Sequence, residues 1–246
     1  MSGIRLNKYI ASSGLCSRRQ ADELIENGKV SVNGKIVTEL GFHVEEKDKV
    51  FVDKKLIRPV KHEYYRFYKP AGYITTADDE KGRKTIYDLL PENLNHLKPA
   101  GRLDRESTGL LILTNDGDLL YQLTHPTIKV PKIYLVQVDA ELSNNDLREL
   151  SVGIEIEPKK IACAEVEVLE RNHKATVMRI TLFQGMNRQI RKMFEHLGYE
   201  VKSLKRIQHA TINLDGLKRG EFKPIKPGQI KDLKNFLNRI GSKSND

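Results

Sequence analysis

The stretch Gly101-Arg102-Leu103-Asp104 sets a carboxylate between two cations, Arg102 and Arg105, just ahead of the apolar run Leu110 to Leu113. A solvated turn accounts for these charges. A reactive carboxylate, acting as a nucleophile or as a fixed negative charge facing a developing cation, accounts for them better if partners occur elsewhere in the chain. In a pocket that excludes water, a carboxylate protonates unless a cation holds it charged. Two further stretches carry more polar groups than their local structure needs. In Lys132-Ile133-Tyr134-Leu135 the lysine and tyrosine alternate with apolar residues, so both point to one face of a strand. Along Asn187 to Lys192, the cations Arg188, Arg191 and Lys192 lie opposite the apolar stripe of a helix. Each stretch alone also fits a wet surface. A glycosidase would need a second acid beside Asp104, and Glu106 in the same turn is the nearby candidate.

The composition narrows what these groups act on. A formal charge of +9 and a pI near 9.4 attract polyanions, so nucleic acid is the leading class of partner. The apolar runs stay well short of the roughly 18 residues of a spanning helix, and the N-terminus carries no apolar signal region. No membrane partner and a cytoplasmic location are expected. Cys16 and Cys163 have no CxxC spacing, and the histidines are scattered, so no metal site is expected.

The elements that must position these groups fall into two parts. Leu6, Tyr9 and Ile10 have helical spacing before Gly14; Ser17 with Gln20 forms a capping box for a second helix whose apolar face is Ala21, Leu24 and Ile25. Asn33-Gly34 between alternating apolar positions predicts a hairpin, and residues 49–53 another strand. A polar, proline-containing linker follows at 58–63. Arg5 and Lys8 are one helical turn apart, and Arg18 and Arg19 occupy a first turn whose dipole prefers acids. A bound phosphate would offset that cost. Beyond residue 63, strands are predicted in 64–76, with a break at Lys69 to Gly72, and at 109–114, 132–140, 159–170 and 175–183. Helices are predicted at 118–124, after the Ser143 cap to Leu150, and through 185–200, where Ile190, Met193, Phe194 and Leu197 form the apolar stripe. The segment 241–246 reads as a flexible tail.

Residues 5–34, RLNKYIASSGLCSRRQADELIENGKVSVNG, resemble an S4 RNA-binding domain. GRLDRESTGLLILTNDGDLLYQLTHP, KIYLVQV and GMNRQIRKMFEHLGY resemble, in order and spacing, the motifs of the ribosomal RNA pseudouridine synthases that carry such a domain. The resemblance runs over about residues 4–215 and leans toward the large-subunit enzymes. It implies an α+β chain: an S4 domain at 1–60, then a catalytic domain at 61–240 with a mixed, mostly antiparallel sheet flanked by helices.

The implied reaction breaks the N1 to C1′ bond of uridine, turns the bound uracil and joins C5 to C1′. It needs no redox step, no hydrolysis and no cofactor. By the resemblance Asp104 is the catalytic carboxylate, Arg191 its cation, and Tyr134 the residue that abuts the uracil and takes a proton. A phenol ionises only near pH 10 in water, so that last role needs help from the site. Arg102 would enter the space left by the everted nucleotide. Lys132, Arg188 and Gln189 would hold RNA backbone, as would Arg5, Lys8, Arg18, Arg19 and Asn33 of the first domain, and Leu204 would pack on the base. The expected partner is ribosomal RNA or a pre-ribosomal particle, met by a monomer. The alternative is a non-catalytic ribosome-assembly factor that uses both domains as a clamp.

Overall fold

The computed structural model describes residues 3–76 and 79–242. The chain divides into one unit through Glu63, together with Asn115–Gly117, and a second of Tyr64–Thr114 with the residues from Asp118 on.

In the first unit, helix α1 (Leu6–Ser12) and helix α2 (Arg18–Glu26) face a small antiparallel sheet. Both halves of the Ser17/Gln20 capping box form, which satisfies two backbone amides at the start of α2. Asn33 and Gly34, with φ of 51° and 82°, supply the left-handed pair that closes β1 (Val30–Val32) onto β2 (Lys35–Ile36). Strand β3 (Val50–Val52) pairs with β1, and β4 (Lys55–Ile57) with β3. Leu6, Ile10, Ala21 and Ile25 are buried against Val30, Val50 and Val52.

The second unit is built on a sheet whose main path holds β5 (Tyr64–Lys69), β6 (Thr108–Thr114), β7 (Lys132–Val138), β8 (Glu165–Asn172), β9 (Ala175–Leu182), β10 (Val201–His209) and β11 (Phe222–Pro224). Their order is β8-β9-β7-β10-β6-β5-β11. The β6 and β10 neighbours are parallel and the other pairs antiparallel. Both faces are covered, as the unbroken apolar run of β6 requires. Leu111 and Leu113 join a core that includes helix α4 (Asn144–Val152) and helix α5 (Gln189–His196). Leu110 and Ile112 join another with helix α3 (Gly117–Thr124) and helix α6 (Pro227–Ser242). This is the mixed, mostly antiparallel α+β architecture expected.

Several local expectations need correction. The strand expected over 159–170 is two: Lys160–Ala162 pairs with Ile154–Glu157 in a separate hairpin, and β8 starts only at Glu165. After Lys69 the chain makes no second strand; Ile74 forms a single bridge to Thr85. Helix α5 starts at Gln189, because Arg188 takes a left-handed conformation, φ 51° and ψ 32°, that an α-helix does not continue through. Of the tail, Gly241 and Ser242 belong to α6, and residues 243–246 lie outside those described. Strand β10 and helix α6 have no counterpart among the elements expected from the sequence. Among the described residues, no helix is long and apolar enough to cross a membrane.

Candidate active site

A cleft of about 870 Å³ opens in the second unit, lined by several segments of chain, three groups of which hold the expected site residues. The loop ahead of β6 contributes Arg102 and Asp104, the floor is formed by residues of β7 and β10, and the turn before α5 contributes Asn187 to Ile190.

The Asp104 loop is held from beneath. Lys69, at the end of β5, is completely buried, and its ammonium donates to the carbonyls of Pro70 (3.0 Å), Asp104 (3.0 Å), Arg105 (3.3 Å) and Ser107 (2.8 Å). Burial pushes its pKa down to about 8, against the opposing pull of Asp104 and Glu106. Thr75 both donates to the Leu103 carbonyl (2.9 Å) and accepts from the Leu103 amide (3.2 Å). The Gly72 amide reaches the Arg105 carbonyl at 2.8 Å. A turn carrying charged side chains is thereby fixed to the sheet, so Asp104, half-buried, meets the cleft from a set position. The turn at Lys69 to Gly72 is expected from the sequence, but this function of Lys69 is not. Its partners are backbone carbonyls, which leave no signal in the sequence.

Lys69→Met should lower stability by about 3 kcal/mol, because the loop carbonyls lose their donor in a buried place. Turnover should fall further than the unfolded fraction explains. A melting curve and kcat measured well below the Tm check this; wild-type kcat in a destabilised variant would remove Lys69 from the positioning of Asp104.

The floor follows from strand register. Tyr134 stands opposite Arg206, Val136 opposite Leu204, and Lys132 opposite His209, with a bulge after Ile133. Lys132, Tyr134, Leu204 and Arg206 therefore share one face, and all four line the cleft. Tyr134 and Leu204 are largely buried, 9% and 7% exposed, offering a rim suited to a flat ring. Arg102 is exposed at the edge.

The third segment behaves differently from expectation. Arg191 donates to the Val201 carbonyl at 3.1 Å, and its Nε is buried without a partner. It does not line the cleft and forms no ion pair with Asp104, so the pair implied by the resemblance is not made in this structure. The physical reason is local: Arg191 sits in the first turn of α5, where the carbonyl that opens β10 takes its guanidinium. Gln189 is 3% exposed, and its amide accepts from the Met186 amide (3.3 Å) and donates to Gln184 (3.1 Å), which ties the turn together. Arg188 is exposed on that turn and lines the cleft.

In the first unit Arg5, Arg18 and Arg19 are exposed, and no acid occupies the first turn of α2. Lys8 lies on α1. Asn33 is engaged at both ends of its amide, donating to Asp48 (2.9 Å) and accepting from the Lys49 amide (3.0 Å), so it serves the hairpin.

Comparison with known proteins places this geometry. Residues 63–196 match the RNA pseudouridylate synthase family, and residues 4–50 match the S4 domain. The chain is 40% identical over 232 residues to "Ribosomal large subunit pseudouridine synthase B" of Bacillus subtilis (strain 168), covering 94% of this chain and 95% of that protein. It is 39% identical over 247 residues to "Dual-specificity RNA pseudouridine synthase RluF" of Escherichia coli (strain K12), covering 98% and 82%. A solved structure described as "Crystal structure of pseudouridylate synthase" superposes with a TM-score of 0.68 at 30% identity, over 94% of this chain and 99% of the other. With a cleft that gathers a fixed carboxylate, an aromatic rim and basic edges, and with matches of this extent, the chain belongs to the RNA pseudouridylate synthase family and carries an S4 domain at its N-terminal end.

Proposed function

We propose that this protein converts uridine to pseudouridine at defined positions of large-subunit ribosomal RNA, with Asp104 as the catalytic carboxylate. The observation that carries this reading is the Asp104 loop, fastened by Lys69 and Thr75 at a cleft whose floor presents Tyr134 and Leu204. A surface turn has no need of a buried lysine wrapped by its carbonyls. The named large-subunit relative supports the choice of ribosomal RNA. The protein would work as a monomer in the cytoplasm, where ribosomal RNA or its assembling particle is met.

As N1 to C1′ breaks, positive charge grows at C1′, and a dehydrated carboxylate stabilises it or bonds to it. The freed uracil turns against Tyr134 and Leu204, C5 joins C1′, and the C5 proton leaves, with Tyr134 as its acceptor. N1, which keeps the electron pair of the broken bond, takes up a proton in place of the one lost from C5 to solvent through Tyr134, so every heavy atom of the product comes from the substrate and the protons balance. Arg102 enters the space that the everted nucleotide leaves, and Lys132 and Arg188 hold backbone. RNA filling the cleft would shield Asp104 from water and raise the value of a neighbouring cation; Arg191, whose buried Nε is idle, is the one proposed to answer. On this reading Arg191→Lys should lower kcat about tenfold or more, because a lysine lacks the planar fork, while RNA affinity stays close to wild type. Normal turnover with weakened RNA binding would make Arg191 a backbone contact.

The S4 unit supplies affinity and placement. Replacing Arg18 and Arg19 together by Gln should weaken binding and reduce the salt slope by roughly 0.7 to 0.9 for each RNA phosphate that the arginines no longer neutralise. Turnover at saturating RNA should persist. Unchanged affinity across salt concentrations would remove these arginines from the RNA interface.

The reading as a whole is tested by mapping pseudouridines in ribosomal RNA from cells with and without the gene. Loss of defined sites in large-subunit RNA is the expected result. An unchanged large-subunit map would contradict the proposal.

A further inference from the structure

Beside Lys132, assigned above to RNA backbone, the floor of the cleft holds a second cation for which the isomerisation has no use. Arg206 is 2% exposed yet lines the cleft; its Nε donates to the Leu110 carbonyl at 2.7 Å, and its Nη2 is buried with no hydrogen-bond partner. Lys132 lines the same floor, with its ammonium donating to the Val130 carbonyl at 3.0 Å. Burial, and then the nearby Arg206, push its pKa down to about 8. Opposite Lys132 stands His209, wholly buried, whose Nδ1 also lacks a partner. Burial and the two cations hold its pKa well below that of an ordinary imidazole, so it adds no charge.

Among the described residues, neither Arg206 nor Lys132 is ion-paired with a carboxylate. Arg206 is kept from water and Lys132 is half-buried, with no anion beside either; like charges so placed destabilise a fold, and an idle buried N–H forgoes a hydrogen bond. The register places both on the face that carries Tyr134 and Leu204, so this charge belongs to the floor where the base is expected.

We propose that Arg206 and Lys132 form a buried subsite for one backbone phosphate of the RNA, adjacent to the everted uridine. The proposal rests on the RNA-isomerase reading above. A phosphodiester carries a full negative charge and oxygens enough for both cations, whereas a uracil carbonyl is neutral and would leave their repulsion uncompensated. The contact is blind to sequence, so it serves placement. By drawing the backbone down to the floor, it seats the base against Tyr134 and Leu204 and makes return to the RNA stack less favourable.

The test uses the whole protein, inorganic phosphate as the probe, and chloride to keep ionic strength equal. Without phosphate, Lys132→Met should melt at or above wild type, since it removes repulsion from the floor. A purely structural lysine would give the opposite result. Phosphate should raise the Tm of wild type more than that of Lys132→Met or of Arg206→Lys, which keeps a charge and loses the idle Nη2 donor. On an unmodified 23S rRNA transcript, KM for Lys132→Met should rise about tenfold, the value of one charged hydrogen bond, with a smaller loss in kcat. Equal phosphate protection of wild type and both variants overturns the subsite, as does a Lys132→Met protein that melts below wild type and keeps its KM. If wild type shows phosphate protection confined to these two residues but leaves the transcript unmodified, the ribosomal RNA reading fails and the subsite stands.

Discussion

Asp104→Asn is expected to fold, to bind ribosomal RNA at least as tightly as wild type, and to form no detectable pseudouridine. Asn keeps the size and polarity of the side chain. The interactions that fix the loop are made by backbone groups, namely the Asp104 carbonyl to Lys69 and to the Ser107 amide and the Leu103 pair to Thr75, so the substitution leaves them in place. Binding should hold or improve, because one negative charge facing a polyanion has gone. Chemistry should not survive, since an amide neither bonds to C1′ as a nucleophile nor offsets its charge. Melting curve, filter-binding affinity and pseudouridine per mole of RNA check the three parts separately. Appreciable turnover by the folded variant removes Asp104 from the mechanism.

Gly109→Ala is expected to cost the fold itself. Gly109 has φ 112°, and it is where β6 meets β5 on one side and β10 on the other, paired to Lys69 and to Arg206. A Cβ built there would stand 2.6 Å from the Arg206 amide nitrogen and closer still to its carbonyl oxygen. Both neighbours are backbone, so no rotamer change relieves the clash, and the left-handed φ is strained for any side chain. The parallel β6–β10 junction must open, carrying Leu204 and Arg206 away from the floor. A loss of roughly 4 kcal/mol or more follows. Thermal melting reads it directly; a Tm within about 2 °C of wild type would contradict the close approach.

The parts of the fold readable in the sequence are those where local signals and tertiary burial agree. Ser17 and Gln20 spell a helix start whose apolar face is also the core face, and Asn33-Gly34 spells a turn whose flanking valines are buried. Strands β6 and β7 carry apolar residues where the sheet needs them. Strand β10 does not. Its floor positions are Leu204 and Arg206, set among the polar Lys202, Ser203, Lys205 and Gln208, so a buried face that includes a cation hides the alternation. Polar groups placed inside for function erase the pattern that reveals a strand.

The site is legible to the same degree. Asp104, Tyr134, Lys132, Leu204, Arg102 and Arg188 do converge on one cleft. Lys69 and Thr75 escape a reading of the sequence because their work is to bind backbone carbonyls and an amide of a distant loop, and carbonyls leave no mark in a sequence. Arg206 escapes it because its strand is hidden too. Arg191 is assigned by resemblance to a partner it does not touch here, since helix spacing says which face a residue occupies and not which acceptor claims its guanidinium.

Uridine isomerisation by this chain is read out as tritium release. A 23S rRNA transcript made with uridine tritiated at C5 loses its label at each site where C5 joins C1′. Release should saturate at a small whole number of tritium atoms per transcript, with pseudouridine in equal amount and no free uracil. Binding without release would make the protein a ribosome-assembly factor, and release of free uracil would make it a glycosidase; either result rules out the isomerase.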